Sequence, residues 1–174
     1  MAIRTIITPE NPLLRKKAHA VKDVHAPVLQ RLIDDMIETM REAPGVGLAA
    51  PQVAVSQRLA VIEYAPGSEA LPEEAEPPEP KLFVLINPEI TQRSEEMLEG
   101  AEGCLSIPGY GGNVLRHAAV TVRALNRKGR PIKLKADGWL ARIFQHEIDH
   151  LDGILFIDRA SKVWKTRDHE VVPE

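Results

Sequence analysis

With 174 residues, 44% of them hydrophobic, the chain can bury one core but is too short for two ordinary domains, so we expect residues 1–174 to form one domain. The net charge of −3 and the scattered basic residues exclude a nucleic-acid footprint, so no DNA partner is expected. A single cysteine excludes an internal disulfide, and no stretch approaches the ~20 apolar residues of a membrane span, so we predict a cytoplasmic protein with no membrane partner.

The first clear element is an amphipathic helix that begins near Pro27 and ends before Pro44. Its apolar residues recur at intervals of three and four, which places them on one helical face. They are Leu29, Leu32, Ile33, Met36, Ile37 and Met40. Ordinary core packing explains methionines at this spacing better than a recognition face does, so no function is assigned to them.

Two short apolar runs, at 59–62 and 82–86, predict buried strands. Between them, residues 66–80 hold five Glu, five Pro and no basic residue. Such a composition buries too little apolar surface to offset the entropy of ordering it. We therefore expect a Pro/Glu-rich surface loop over 66–80.

The second half of the chain predicts a hairpin followed by a helix. Apolar runs at 119–125 and 132–134 flank a turn at 126–130. Asp137 can then cap a helix that ends at Gly153. Strands and helices together indicate an α+β fold.

The second helix carries the sequence HEIDH, from His146 to His150. Two histidines four residues apart lie on one helical face with Cβ atoms about 5–6 Å apart, so one metal ion can bind both imidazoles. Glu147 lies to the side, where a general base would act on water without ligating the ion. A chance pair of surface histidines is the alternative.

A catalytic metal of this kind needs a third protein ligand and one open position. Phe156 stands where an extended histidine motif would need its last histidine, so that motif is absent. Glu170 and Cys104 are the remaining candidates, although a lone cysteine is usually a small buried hydrophobe. The residues alone leave the third ligand open.

Three segments carry a family resemblance. They are GVGLAAPQ (45–52), EGCLS (102–106) and QHEIDHLDG (145–153). In this order they resemble the signature motifs of the peptide deformylase family, and the similarity extends over about residues 8–158. The resemblance implies a single catalytic domain in which mixed or antiparallel strands surround a central metal-binding helix. It also implies removal of the N-formyl group from formylmethionine at the start of nascent proteins.

By the same resemblance, Cys104, His146 and His150 are the metal ligands. One divalent ion per chain is implied, usually Fe(II), with zinc, nickel or cobalt also able to bind; one thiolate and two imidazoles suit several of these ions.

The catalytic roles are likewise implied by the resemblance. Glu147 takes a proton from water and delivers it to the leaving amine. The side-chain amide of Gln52 and the backbone N–H of Leu105 stabilise the developing oxyanion.

The resemblance and helical spacing together predict the substrate contacts. The backbone near Gly47 is expected to hydrogen-bond an extended formyl-Met peptide in strand-like fashion. Val46, Trp139, Arg142 and Ile143 are expected to wall an apolar methionine pocket, although plain core packing of Trp139 is an equal alternative.

Several questions stay open at the level of sequence. Glu102 and Arg116 form either an ion pair near the pocket or a surface pair of little energetic value. Residues 159–174 are expected to form a short polar tail, whereas many bacterial relatives continue into a long helix that docks on the ribosome. Lys162, Lys165 and Arg167 would then make only a weak ribosome contact.

Two other functions compete with deformylation. One is a zinc metallopeptidase that uses Glu170 as third ligand. The other is a non-catalytic relative that only binds nascent N-termini.

Overall fold

The computed structural model describes residues 1–67, 71–167 and 170–172 of the chain. Within these ranges the strands are β1 (Gly47–Ala49), β2 (Leu59–Tyr64), β3 (Lys81–Arg93), β4 (Met97–Cys104), β5 (Ile107–His117), β6 (Ala119–Leu125), β7 (Pro131–Asp137), β8 (Lys162–Arg167) and β9 (Glu170–Val172). The helices are α1 (Pro27–Glu42), α2 (Gly138–Leu151) and α3 (Phe156–Arg159), with short 3-10 helices at Pro12–Arg15 and Ala50–Val53. The α+β class predicted from the sequence is confirmed.

The first sheet has the strand order β1-β2-β3-β6-β7, and every ladder in it is antiparallel. The runs at 59–62 and 82–86 lie in β2 and β3, and the hairpin at 119–134 lies in β6 and β7. Alternation along β7 buries Ala136 and exposes Lys133 and Lys135, as expected for a sheet with one face on a core. β1 is an edge strand, because β2 is the one strand of the described chain that pairs with it.

The second sheet has the antiparallel order β4-β5-β8-β9. β4 and β5 form a long hairpin whose pairing register shifts between Gly103 and Cys104. Such an irregularity bends a strand and re-aims its side chains, so the hairpin tip can turn toward a helix.

Helix α1 buries the apolar face that the spacing predicts, from Leu29 to Met40. This face packs with Leu48, Leu59 and Val61 in one core cluster. Pro27 occupies the first turn, where its missing N–H costs nothing.

Helix α2 packs against strands of both sheets, including β1, β2 and β7 of the first and β5 of the second. Asp137 precedes it as expected, but its side chain makes no capping hydrogen bond. The prediction of a side-chain cap was wrong because Asp137 is the last paired residue of β7, opposite Ala119, and Gly138 makes the turn into the helix at φ +55°.

The segment between β2 and β3 contains no helix or strand among its described residues, and residues 71–80 are exposed. Residues 68–70 of the expected loop lie outside the described residues. No helix of the described chain is both long and apolar enough to cross a membrane.

The expectation of a polar tail over 159–174 does not match the structure. β8 pairs with β5, and the ring of Trp164 is 5% exposed. An ideal Cβ on Gly111 would lie 2.7 Å from Trp164 Nε1, so glycine makes room for the indole. Burial of this large ring outweighs the polar character of its neighbours. Residues 168, 169, 173 and 174 lie outside the described ranges.

Candidate metal centre

His146 and His150 lie one turn apart on α2, with ring centroids 5.0 Å from each other. Cys104 ends β4, and its Sγ lies 3.3 Å from His150 Nε2. One ligand atom from each of the three residues lies within 4.8 Å of the others, which is the only such group of His, Cys, Asp or Glu found among the described residues. One sulfur and two imidazole nitrogens at this spacing fit a divalent transition metal ion.

The surroundings act differently on the two imidazoles: burial lowers the pKa of His146, but hydrogen bonds with Cys104 and Glu102 outweigh it and raise that pKa to about 10. Burial lowers the pKa of His150 well below its usual value, and the neighbouring His146 lowers it further, so its imidazole is neutral. His146 Nδ1 lies 2.8 Å from Glu102 Oε1, which leaves its Nε2 facing the cluster. Burial raises the pKa of Glu102, but hydrogen bonds with Arg116 and His146 outweigh it and hold the pKa far below normal.

Glu147 is 4% exposed and lies beside the ligand group on α2. Its Oε2 has no hydrogen-bond partner among the described residues. Burial raises its pKa to about 7, although the charge of His146 acts in the opposite direction. An ideal Cβ on Gly47 would lie 2.5 Å from Glu147 Oε1, so the glycine leaves space for the carboxylate itself.

Gln52 is buried beside the cysteine. Its Oε1 accepts a 2.9 Å hydrogen bond from the Ala49 N–H, and its Nε2 donates to Ser106 Oγ at 3.1 Å. The same Nε2 lies 3.5 Å from Cys104 Sγ. Leu105 follows in the turn between β4 and β5, and its side chain fills the space that Gly45 leaves open.

A cavity of about 650 Å³ opens in front of these residues. All five predicted substrate residues line it, namely Gly47, Val46, Trp139, Arg142 and Ile143, together with Gln52, Leu105 and Glu147. Val46 and Trp139 are 51% and 39% exposed, so both lie toward the cavity mouth. Thr166 of β8 also lines the cavity, and no sequence signal pointed to it.

The open question about Glu102 and Arg116 is answered by their burial: their side chains are 5% and 4% exposed. Arg116 binds both oxygens of Glu102 and also donates to Asp149 Oδ2 at 2.5 Å. Arg142 reaches the same Glu102. The pair is therefore part of a buried network against the ligand helix, and its members are too far apart in sequence for spacing to reveal them.

Glu170, the alternative third ligand, lies in β9 opposite Arg167 of β8. The side chain of Glu170 lies outside the described residues, among which the ligand group is Cys104, His146 and His150.

Comparison with known proteins identifies one family. The family model described as polypeptide deformylase matches residues 3–166. A peptide deformylase of Symbiobacterium thermophilum is 50% identical over 163 residues, which cover 94% of this chain and 69% of that protein. A crystal structure of a peptide deformylase from Legionella pneumophila superposes with a TM-score of 0.80 at 44% identity, covering 92% of this chain and 87% of that one. The Met-Ala-Ser-bound class I type b peptide deformylase from Acinetobacter baumannii gives 0.81 at 37% identity, covering 91% and 100%.

Proposed function

The chain belongs to the polypeptide deformylase family, and from this premise we propose that Cys104, His146 and His150 hold its single catalytic metal ion on the central helix α2. The chain is a hydrolase that removes the N-formyl group from formylmethionine of nascent proteins. The observation that carries the site proposal is the position of the Cys-His-His group, which lies beside buried Glu147 at a cavity.

The reaction adds water to the formyl carbon, breaks the C–N bond and releases formate and the free amine of methionine. An ion held by Cys104, His146 and His150 would supply Lewis acidity for the attack of water on the formyl group. Glu147 Oε2, which has no other partner, accepts the proton from water and passes it to the departing nitrogen. Gln52 Nε2 and the Leu105 N–H donate to the oxygen on which negative charge develops.

The substrate is held by the strand edge and the cavity. Because β1 is paired on one side only, the backbone at Gly47 can bind an extended peptide as an added strand. The methionine side chain fills the space between Val46, Trp139, Ile143 and the stem of Arg142. The Met-Ala-Ser peptide bound to the Acinetobacter baumannii protein supports a short extended ligand of this kind.

The test is formate release from formyl-Met-Ala-Ser by anaerobically purified protein. We expect Cys104→Ser to lose both the metal and the activity, and Glu147→Gln to keep the metal but lose about 10²–10⁴-fold in rate. The exposed carboxylate variant Glu99→Gln is the control and should behave as wild type. Full activity in Glu147→Gln would rule out the assigned base, and metal retention in Cys104→Ser would rule out the assigned thiolate.

We propose Fe(II) as the physiological ion, which the family resemblance supports, while the donor set also suits Zn, Ni and Co. Metal analysis of protein purified without oxygen identifies the ion, since a thiolate-ligated Fe(II) site is open to oxidation.

We further propose that the chain works as one catalytic domain in the cytoplasm. A weak ribosome contact would use the exposed Lys162 and Lys165 of β8. Such a contact should disappear from co-sedimentation as salt rises, because it depends on phosphate neutralisation. Family membership does not favour the metallopeptidase or the non-catalytic alternative.

A further inference from the structure

The two faces of α2 contact the rest of the molecule through different kinds of interaction. One face is apolar, and Ala141, Phe144 and Ile148 pack on the first sheet in a hydrophobic cluster. The other face carries Arg142, His146 and Asp149, at spacings of four and three residues, which is one helical stripe. This stripe contacts the hairpin of β4 and β5 through buried charges.

Arg142 begins this charged stripe and is 7% exposed. Its Nη1 donates to Glu102 Oε2 at 2.7 Å and to the Val114 carbonyl at 2.8 Å, and its Nη2 donates to the Leu98 carbonyl at 2.7 Å. An ideal Cβ on Gly100 would lie 3.0 Å from both Cζ and Nη2. The guanidinium therefore occupies a fitted space that the absence of a side chain at Gly100 creates.

Glu102 is the junction between Arg142 and the ligand group. Its Oε1 accepts a hydrogen bond from Arg116 Nη2 at 2.8 Å and lies 2.8 Å from His146 Nδ1. Its Oε2 accepts hydrogen bonds from Arg116 Nε at 2.9 Å and from Arg142 Nη1 at 2.7 Å. Each oxygen thus has two donors, so the carboxylate cannot rotate without breaking a contact. Arg142 supplies one of these four contacts, on the oxygen opposite the one that faces His146, and so helps to fix the whole carboxylate.

We propose that Arg142 is a positioning residue of the metal centre, acting through Glu102 on the ring of His146. The inference rests on the proposed metal site. A partner that holds the outer nitrogen of a ligating histidine sets its tautomer and ring orientation. Glu102 holds His146, and Arg142 in turn holds Glu102. The side chain of Arg142 also lines the cavity, so it connects the proposed substrate space to the ligand. A purely structural role would instead be to tether the β4–β5 hairpin to α2.

The experiment follows Co(II), whose absorption bands report ligand geometry. Anaerobic apo-protein is titrated with Co(II) against a chelator, and the spectrum and affinity are recorded for wild type, Arg142→Met and Gly100→Ala. We expect Arg142→Met to weaken Co(II) binding about 10–100-fold and to shift the bands. Gly100→Ala, which only crowds the guanidinium, should shift them in the same direction by less. Arg142→Lys, which keeps one charged donor, should restore part of the affinity.

Arg58→Met is the matched control. Arg58 also ties the end of α2 by hydrogen bonds, to the Leu151 carbonyl at 2.9 Å and Asp152 at 3.0 Å, but it contacts no proposed ligand. It should lower the melting temperature and leave the Co(II) spectrum unchanged.

The outcomes distinguish the positioning role of Arg142 from the metal site on which that role depends. Wild-type bands and affinity in Arg142→Met, with a lower melting temperature alone, would overturn the positioning role. If Arg142→Met does not fold, unchanged bands in Gly100→Ala overturn it equally. Failure of the wild type itself to bind Co(II) would instead overturn the metal site.

Discussion

At Gly47, the absence of a side chain leaves room for the carboxylate of Glu147. The carboxylate of Glu147 occupies the space where a side chain on residue 47 would begin. From the sequence, the backbone near this glycine is expected to hydrogen-bond the peptide substrate. The structure shows that the group approaching it is the proposed general base.

We predict that Gly47→Ala lowers the rate of formate release by at least about 100-fold, because the new methyl group displaces the base from its position. Metal content should stay near the wild-type value, since no ligand changes. A variant with normal turnover would mean that the carboxylate can act from another position.

At the scale of elements, the β8 strand contributes more than its polar sequence suggests. Trp164 packs its ring against Gly111 of β5, the residue it is paired with in the strand ladder. Thr166, two residues further along the same strand, lines the cavity. Stability and cavity shape therefore both depend on this strand.

Trp164→Ala should reduce the free energy of unfolding by about 3–5 kcal/mol, which is typical of a large aromatic ring removed from a core. Lys165→Ala, the exposed neighbour on the same strand, should change it by less than about 0.5 kcal/mol. Urea unfolding of the two variants makes the comparison. Equal effects would show that β8 is held by its backbone pairing alone.

Elements differ in how far the sequence predicted them. The regular apolar spacing of α1 and the short apolar runs of β2 and β3 are local patterns, so the sequence predicts these elements. β4 and β5 carry five glycines, Gly100, Gly103, Gly109, Gly111 and Gly112, which interrupt any apolar alternation there. Their pairing depends on contacts with α2 that lie tens of residues away.

The candidate site shows the same limit. Cys104, His146 and His150 are linked by family motifs, and the structure brings them together. The network of Glu102, Arg116 and Arg142 follows from no single motif: Glu102 lies in EGCLS, but Arg116 and Arg142 are 14 and 40 residues away and meet it only in the folded chain.

For the whole molecule, the ligand group joins two parts of the fold. Cys104 belongs to the second sheet, whereas both histidines belong to the helix whose apolar face packs on the first. Ion binding should therefore stabilise the complete fold. At about 1,000 times its Kd, an ion that binds only the folded state adds about 4 kcal/mol.

Chelation should lower the melting temperature, and adding Ni(II) back should restore it. Cys104→Ser should show no such response. A melting temperature that does not depend on the ion would contradict a metal that bridges the sheet and the helix.

Surface ion pairs set how the whole molecule responds to acid. Glu63 accepts two hydrogen bonds from Arg41, at 2.8 and 2.7 Å, which join β2 to α1, and these bonds lower the pKa of its carboxyl. Asp158 has its pKa lowered in the same way by Arg15. Because each pKa is lower in the folded chain than in the unfolded one, the ionised groups stabilise the fold above the unfolded pKa of about 4. That stability is lost as the pH falls through the folded pKa.

We therefore expect the free energy of unfolding to fall as the pH is lowered from about 5. In the Glu63→Gln variant this free energy should fall less steeply. Urea titrations at a series of pH values measure both slopes. Parallel curves for the variant and the wild type would show that this pair contributes nothing.

The segment between β2 and β3 leaves and re-enters the first sheet at paired residues, since Tyr64 lies opposite Lys81. Its two ends are thus neighbours whatever its length, and doubling such a connection costs only about 0.6 kcal/mol in closure entropy. The sheet would tolerate a shortened turn there, or a fluorophore or affinity tag in its place. Because Tyr64 also lines the cavity, a dye attached near it would lie beside the proposed peptide site and should report binding there in real time.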